Sequence, residues 1–322
     1  MMKSTVVIPN YNGIDYLREC LNSLLECEPL DFSIIVVDNG SSDGSVELLR
    51  EKYPTVDLIA FDENTGFARA VNAGIEAAVT EYVVLLNNDT VVDKGFVAEL
   101  EKTMDSSDKI LSASAKMIDM HNRQILDGTG DYYCALGWAY AYGKGKSVDA
   151  YTKKRRIFSS CGGAAIYRRK ELIDIGAFDD NHFAYLEDID VGYRARINGF
   201  YNVYSPDALV YHAGSGSSGS RYNEFKINLS SRNSIYLVLK NMPFLQLVIN
   251  LPLLIVGFAV KALFFTLKGY GSVYIKGLMA GIKMYFGKAG REKRVKFRLR
   301  NLGNYIIIQL ELWVNILRRL FA

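Results

Sequence analysis

The nine residues Tyr82-Val83-Val84-Leu85-Leu86-Asn87-Asn88-Asp89-Thr90 constrain this chain most. An apolar run long enough for one buried strand stops abruptly at two amides and a carboxylate. In an open α/β sheet the ligand crevice lies outside the carboxyl ends of the strands, so Asp89 is expected to project into it. A hard divalent cation at that point takes oxygen ligands and a diphosphate. Taken alone, the same residues also read as a strand followed by a polar turn.

Three further stretches favour the first reading. Thr5-Val6-Val7-Ile8-Pro9-Asn10-Tyr11-Asn12-Gly13 is a β-branched run closed by turn formers, and Tyr16, Leu17, Cys20, Leu21, Leu24 and Leu25 then recur at helical spacing. Ser33 to Gly44 is another buried-type strand, ending on Asp38, which can accept a hydrogen bond from a nucleobase or a ribose hydroxyl. Asp43 or Ser45 is placed to cap the helix that follows. Asn64 to Gly74 reads as a helix start that carries Arg69 one turn in, aimed at the same crevice.

With 322 residues and 49% hydrophobic content, the chain can bury a full core, enough for one domain of roughly 200 to 250 residues plus an extension. Neither GxGxxG nor GxxxxGK[ST] occurs, which removes the phosphate cradles of dinucleotide-binding folds and P-loop kinases. Cys20, Cys27, Cys134 and Cys161 form no CxxC pair and read as reduced thiols, not zinc ligands. The apolar run before Pro9 is too short for a signal-peptide core, so the N-terminal part is expected in the cytoplasm.

Beyond Asp89, Lys94 to Met104 reads as a helix and Ile110 to Met117 as a strand, whereas Asp119 to Lys154 carries no clear period. Tyr132, Tyr133, Tyr140 and Tyr142 in that stretch either line a sugar site or pack against the domain. The small residues Gly162-Gly163-Ala164-Ala165 allow a close backbone approach, to a ligand or to another element. Glu187, Asp188 and Asp190 then crowd a helix N-terminus where capping needs only one of them. A carboxylate left over at a crevice edge is a candidate general base.

In this order, the motifs resemble the family 2 glycosyltransferases of the GT-A fold, and among them the bacterial rhamnosyltransferase-like enzymes of cell-surface polysaccharide synthesis. The resemblance covers about residues 4 to 240 and implies an α/β sandwich, a Rossmann-like nucleotide-diphospho-sugar transferase, around a mostly parallel sheet. It implies that Pro9, Tyr11, Asn12, Asp38, Asn64, Arg69 and Asn88 hold the donor. Asn87-Asn88-Asp89 occupies the place of the family's DxD, with Asn87 departing from its first acidic position. By the same resemblance Asp89 and His212 bind a divalent Mn²⁺ or Mg²⁺, Asp188 is the inverting base beside Glu187, and Arg232 of the Arg232-Asn233 pair faces the diphosphate. Residues 214 to 220, rich in glycine and serine, would form a lid. The residues alone favour a structural role for His212, and the resemblance reverses that preference.

From Lys240 onward there are 14 basic and 2 acidic residues, leaving 24 basic and 33 acidic before it, so a net charge of +3 conceals halves of +12 and −9. Two domains follow: a catalytic GT-A domain over 1–239, and a basic, apolar α-helical tail over 240–322. Residues 243 to 267 are long and apolar enough to span a membrane, but a single span would carry the basic run 291–300 outward, against the positive-inside tendency. The tail is therefore expected to lie on the anionic inner leaflet as a peripheral or monotopic anchor, with packing of its helices or a homo-oligomer interface as the alternative. The acidic catalytic part argues against nucleic acid as a partner. The expected activity is transfer of one sugar to a lipid-linked glycan on the cytoplasmic face. Its rivals are a catalytically silent scaffold and a processive synthase, but no QxxRW-type motif of such synthases is present.

Overall fold

The computed structural model describes residues 2–214 and 222–320. Its centre is a ten-stranded mixed sheet. The strands of the described residues, ten in this sheet and two (β8 and β9) outside it, are β1 (Ser4–Asn10), β2 (Phe32–Asn39), β3 (Asp57–Phe61), β4 (Tyr82–Leu86), β5 (Thr90–Val92), β6 (Ile110–Asp119), β7 (Leu126–Gly128), β8 (Asp131–Cys134), β9 (Trp138–Ala141), β10 (Arg155–Ile157), β11 (Ala164–Arg168) and β12 (Tyr201–His212). Their order is β10-β12-β6-β11-β4-β1-β2-β3, with β5 on β12, β7 on β6, and β8–β9 as a separate hairpin. The four strands from β3 to β4 are parallel, but β11 is antiparallel to both β4 and β6. The expectation of a mostly parallel sheet therefore holds for β3-β2-β1-β4 and again for the parallel pair β6–β12, while β5, β7, β10 and β11 pair antiparallel. β11 departs from it because no crossover helix returns the chain to run alongside β4.

Helices α1 (Ile14–Leu25), α2 (Ser45–Lys52) and α4 (Phe96–Asp105) lie among the residues of one core, while α3 (Phe67–Ala77), α5 (Arg169–Asp174) and α6 (Glu187–Ile197) contribute to the other. Each central strand feeds both: Val84 and Leu86 belong to the first core, Val83 and Leu85 to the second. This is why β4 reads as an unbroken apolar run without alternation. Its first polar residues fall where the sheet ends.

The C-terminal helices are α7 (Glu224–Asn241), α8 (Phe244–Leu267), α9 (Gly271–Phe286), α10 (Lys288–Glu292) and α11 (Leu302–Arg319). The boundary expected at 239/240 falls inside α7. Lys240 is itself buried, its ammonium donating to Asp179 at 2.7 Å and to Asp190 at 2.8 Å, and Arg194 pairs with Asp190 at 2.8 Å. A third core joins Tyr133, Phe158 and Tyr193 to Leu237, Leu254, Tyr305 and Leu312, so the helices share side-chain packing with the sheet domain. Helices α7 and α9 meet backbone to backbone. A Cβ at Gly277 would collide with the Ser231 hydroxyl, and one at Gly281 with the Arg232 carbonyl.

Candidate active site

The carboxyl ends of β1 and β4 open on a crevice of about 920 Å³. The chain enters it wherever an apolar strand runs out. Pro9, Tyr11, Asn64, Asn87, Asn88 and Asp89 line it from the N-terminal half, and Asp131, Tyr140, Cys161, Glu187, Asp188 and His212 from the rest. Close backbone approach shapes the wall: a Cβ at Gly13 would overlap the Asn88 amide, and one at Gly163 would stand 3.0 Å from the Asn87 amide nitrogen. Gly162 and Gly163 line the crevice, so the small-residue run serves both packing and access.

Register places the first charged pair. In β12, His212 pairs with Thr90 of β5, and Ala213 N donates to the Asp89 carbonyl at 3.0 Å, which brings the two side chains together. His212 Nε2 lies 3.3 Å from Asp89 Oδ1, and Nδ1 lies 2.7 Å from Asp127 Oδ2. Burial works against a charged imidazole here, but its hydrogen bonds to Asp127 and Asp89 outweigh burial and push it up to about 9. Asp127, despite burial, is held down at about 2 by His212 and Lys144. A carboxylate on Nδ1 fixes the ring and leaves Nε2 turned to Asp89; with the Nε2 proton displaced, the pair offers a nitrogen and an oxygen donor, a set that fits a divalent cation.

A second group forms at the start of α6. Oxygens of Asp131 and Asp188 and the Cys161 sulfur lie within 4.8 Å of one another. Asp188 also accepts from Ile189 N at 2.7 Å, within the first turn of α6. Burial pushes Asp188 up to about 6, and burial with the Asp188 charge pushes Glu187 up to about 8. Asp131 is raised well above the usual carboxylate range, by burial and then by the Asp188 charge, and its hydrogen bond to Asp188 favours the charged form of Asp188. Asp190 takes no part in the crevice. It is committed to Lys240, Arg194 and Asn241.

The loop before α6 is strained, with φ of 61° at Phe183, 73° at Tyr185 and 67° at Leu186, each costing about 1–3 kcal/mol. Asn233 holds it in place, its amide donating to the carbonyls of His182, Ala184 and Tyr185 at 2.8–2.9 Å. Arg232 donates to the carbonyls of Asn181 and His182 and to Asn233 Oδ1. The Arg232-Asn233 pair thus clamps a loop. With its guanidinium committed to carbonyls, Arg232 is not among the residues lining the crevice.

Three more of the expected donor contacts lie off the crevice wall. Asp38 is buried behind it, accepting from Asn10 Nδ2 and Ser41 N, each at 2.8 Å. Asn12 is exposed and its amide oxygen accepts from Ser42 N. Arg69 is exposed on α3. Asn64 does line the crevice, although its oxygen already accepts from Asn39 and from Gly66 N. Asp43 accepts from Ser45 N and from Ile14 N, tying together the starts of α2 and α1. Of the four tyrosines, Tyr140 alone lines the crevice, while Tyr132 and Tyr133 are buried in packing. The lid expected at 214–220 lies, apart from Gly214, outside the described residues.

A strand-end crevice that gathers a carboxylate–histidine pair and a carboxylate helix terminus on a Rossmann-like mixed sheet defines the class of GT-A sugar transferases. Residues 5–176 match the glycosyl transferase family 2, and the chain belongs to that family. The N-acetylglucosaminyl-diphospho-decaprenol L-rhamnosyltransferase of Mycobacterium tuberculosis is 25% identical over 239 residues, covering 66% of this chain and 77% of the relative. The poly-β-1,6-N-acetyl-D-glucosamine synthase of Staphylococcus aureus is 25% identical over 211 residues, 64% of this chain but 49% of the synthase. Among solved structures, S. aureus TarS 1–349 in complex with UDP-GlcNAc aligns with a TM-score of 0.59 at 21% identity, over 88% of this chain and 81% of that one. The mannosyltransferase PcManGT of Pyrobaculum calidifontis with GDP-Man and Mn²⁺ aligns at 0.55 and 17% identity, over 89% and 88%.

Proposed function

We propose that this glycosyltransferase moves one sugar, rhamnose being the first to test, from a nucleoside diphosphate donor to a lipid-linked glycan, with inversion and with a divalent metal, at the cytoplasmic face of the membrane. The observation that carries this reading is the single crevice that holds the Asp89–His212 pair together with Asp188. Asp89 and His212 would hold the cation, with Asp127 orienting the imidazole. When bound, it supplies the charge that offsets the departing diphosphate, a contribution of several kcal/mol that needs no proton donor.

The chain's own groups do the rest. Asp188 takes the proton of the acceptor hydroxyl as that oxygen attacks the anomeric carbon. Asp131 donates to Asp188 and keeps it aimed and ionised. Cys161 stays a thiol, since burial pushes its proton affinity well up, and a thiol is a poor covalent nucleophile. That favours one direct displacement, hence inversion, by analogy with inverting glycosidases. Pro9, Tyr11, Asn64 and Asn88 form the donor wall.

Attachment to a bilayer is supported by the outer faces of the C-terminal helices. On α8, Phe244, Leu245, Leu251, Ile255, Leu263 and Leu267 are each more than half exposed, and on α11 so are Ile306, Ile307, Leu310 and Leu317. Its inner stripe of Gln246, Asn250, Leu254 and Gly257 is buried against the protein, which suits a helix lying in the interface better than one crossing it. The M. tuberculosis relative, by its name, acts on a diphospho-decaprenol acceptor, and PcManGT was solved with Mn²⁺. The test is transfer by purified full-length protein from a panel of nucleotide sugars to polyprenyl-diphosphate N-acetylglucosamine, with and without Mn²⁺. Transfer that stops on chelation and on Asp89→Ala is expected. Full activity in excess chelator overturns the metal assignment.

A further inference from the structure

A basic and aromatic cluster stands between the crevice and the apolar helix faces. On α8, Lys261 follows Gly257 by four residues and so continues the inner stripe, turning its side chain toward β9 and away from the exposed apolar face. Its ammonium lies 5.7 Å from the centre of the Trp138 ring, while the Arg319 guanidinium, at the end of α11, lies 5.3 Å from the same ring and 5.2 Å from that of Tyr140. Both rings are fixed by hydrogen bonds to the helices: Trp138 Nε1 donates to the Gly257 carbonyl at 3.0 Å and Tyr140 Oη to the Asn315 carbonyl at 2.8 Å. Among the described residues, neither cation has a hydrogen-bonding or carboxylate partner. Two like charges held against one indole repel, and burial together with Arg319 lowers Lys261 to about 8. Such an arrangement is completed by an anion of two charges or more.

Position selects the anion. Ala139, Tyr140 and Ala141 of β9 line the crevice, and β9 begins at Trp138, so the cluster sits where the crevice wall meets α8 and α11. Beside it, Leu263 on α8 and Leu317 on α11 are exposed apolar side chains. We infer that Lys261 and Arg319, flanking Trp138, bind the diphosphate of an isoprenoid-diphosphate-linked acceptor, whose hydrocarbon lies along α8 and α11 and whose glycan enters the crevice over Tyr140. The inference rests on the lipid-linked acceptor proposed above and names the residues that recognise it. It also gives the acceptor a direction, with the lipid at β9 and the sugar toward Asp188.

The chain has two tryptophans, so a Trp313→Phe background leaves Trp138 as the reporter. Full-length protein in neutral detergent micelles is titrated with geranylgeranyl diphosphate, with geranylgeraniol as the uncharged control and phosphatidylglycerol vesicles in a separate arm. The expected result is saturable binding of geranylgeranyl diphosphate and none of geranylgeraniol. Its Kd rises about tenfold or more in Lys261→Gln and in Arg319→Gln and returns toward the starting value in Lys261→Arg. Melting temperatures of the variants guard against misfolding, and vesicle binding should be nearly unchanged. Diphosphate affinity unchanged from the starting protein in both Gln variants overturns the site, as does failure of the starting protein to bind the diphosphate. Loss of vesicle binding in the Gln variants with no diphosphate signal makes the cluster a bilayer contact and also overturns it. Diphosphate binding without sugar transfer would leave this site standing and remove the proposed function.

Discussion

The crevice and the outer surface of the C-terminal helices are built on opposite terms. In the crevice, His212 is held by Asp89 and Asp127, Asp188 by Asp131 and Ile189 N, and the loop before α6 by Asn233. On the outer surface, large apolar side chains of α8 and α11 face outward. The first region has its geometry set before any ligand arrives. The second leaves large apolar side chains uncovered among the described residues, which fits a contact surface rather than a catalytic one. Preorganisation therefore belongs to the charged half of the molecule and adaptability to the apolar half.

That contrast can be broken at several points. The largest effect is expected for Asp188→Asn, which should lower kcat by about 10²- to 10⁴-fold while leaving donor affinity near its starting value. Near-normal turnover would move the base to Glu187. Next, replacing Leu251, Ile255 and Leu263 together by Glu should weaken sedimentation with anionic vesicles by about three orders of magnitude, since each lost apolar contact is worth about 1.5 kcal/mol or more. High salt should weaken the parent only in part, because screening leaves apolar burial intact. If the triple variant instead turns an oligomer into monomers with vesicle binding unchanged, the outer face is a subunit interface.

Lys240→Ala probes whether the two halves are separable. Removing the ammonium leaves Asp179 buried without a cation and Asp190 with Arg194 alone, and the expected loss is about 3–5 kcal/mol of stability, read by denaturant melts. A loss near zero would show the helices to be a loosely held appendage. The smallest effect concerns pH. In the proposed role Asp188 acts as the carboxylate, so kcat/KM should fall about tenfold per unit below about pH 6 and level off above it. Asp131→Ala removes the hydrogen bond that favours the carboxylate and should move that acid limb to higher pH, whereas Asp131→Asn, still a donor, should move it less. An unchanged limb in Asp131→Ala would remove Asp131 from any part in holding the base.

What the sequence made legible follows the same division. Strands β1, β2 and β4 were readable because burial on both faces leaves an apolar run, and the first polar residue marks where the crevice begins. Asp89 stands out that way, whereas Glu187 and Asp188 stand out as more carboxylates than a helix N-terminus needs for capping; all three line the crevice. Asp127 and Asp131 were not, because they sit on or next to strands of three and four residues, too short to show a period. Arg232 was assigned to the diphosphate since a sequence shows a cation but not the backbone carbonyls that occupy it. The division at 239/240 followed a real change in composition. Lys240 belongs by charge to the tail and by contact to Asp179 and Asp190, and contact decides where it packs.

The glycine contacts between α7 and α9 limit how this enzyme can be re-engineered. Because a single methyl at Gly277 or Gly281 would meet the Ser231 hydroxyl or the Arg232 carbonyl, the two helices tolerate no foreign partner without moving apart. Arg232 and Asn233, on that same stretch of α7, grip the loop that leads to Asp188. A chimera that exchanges the last 83 residues at Lys240 would graft a new α9 onto the old α7 and disturb the loop grip from behind. The transplantable unit begins ahead of α7, before Glu224, and travels with its own loop clamp.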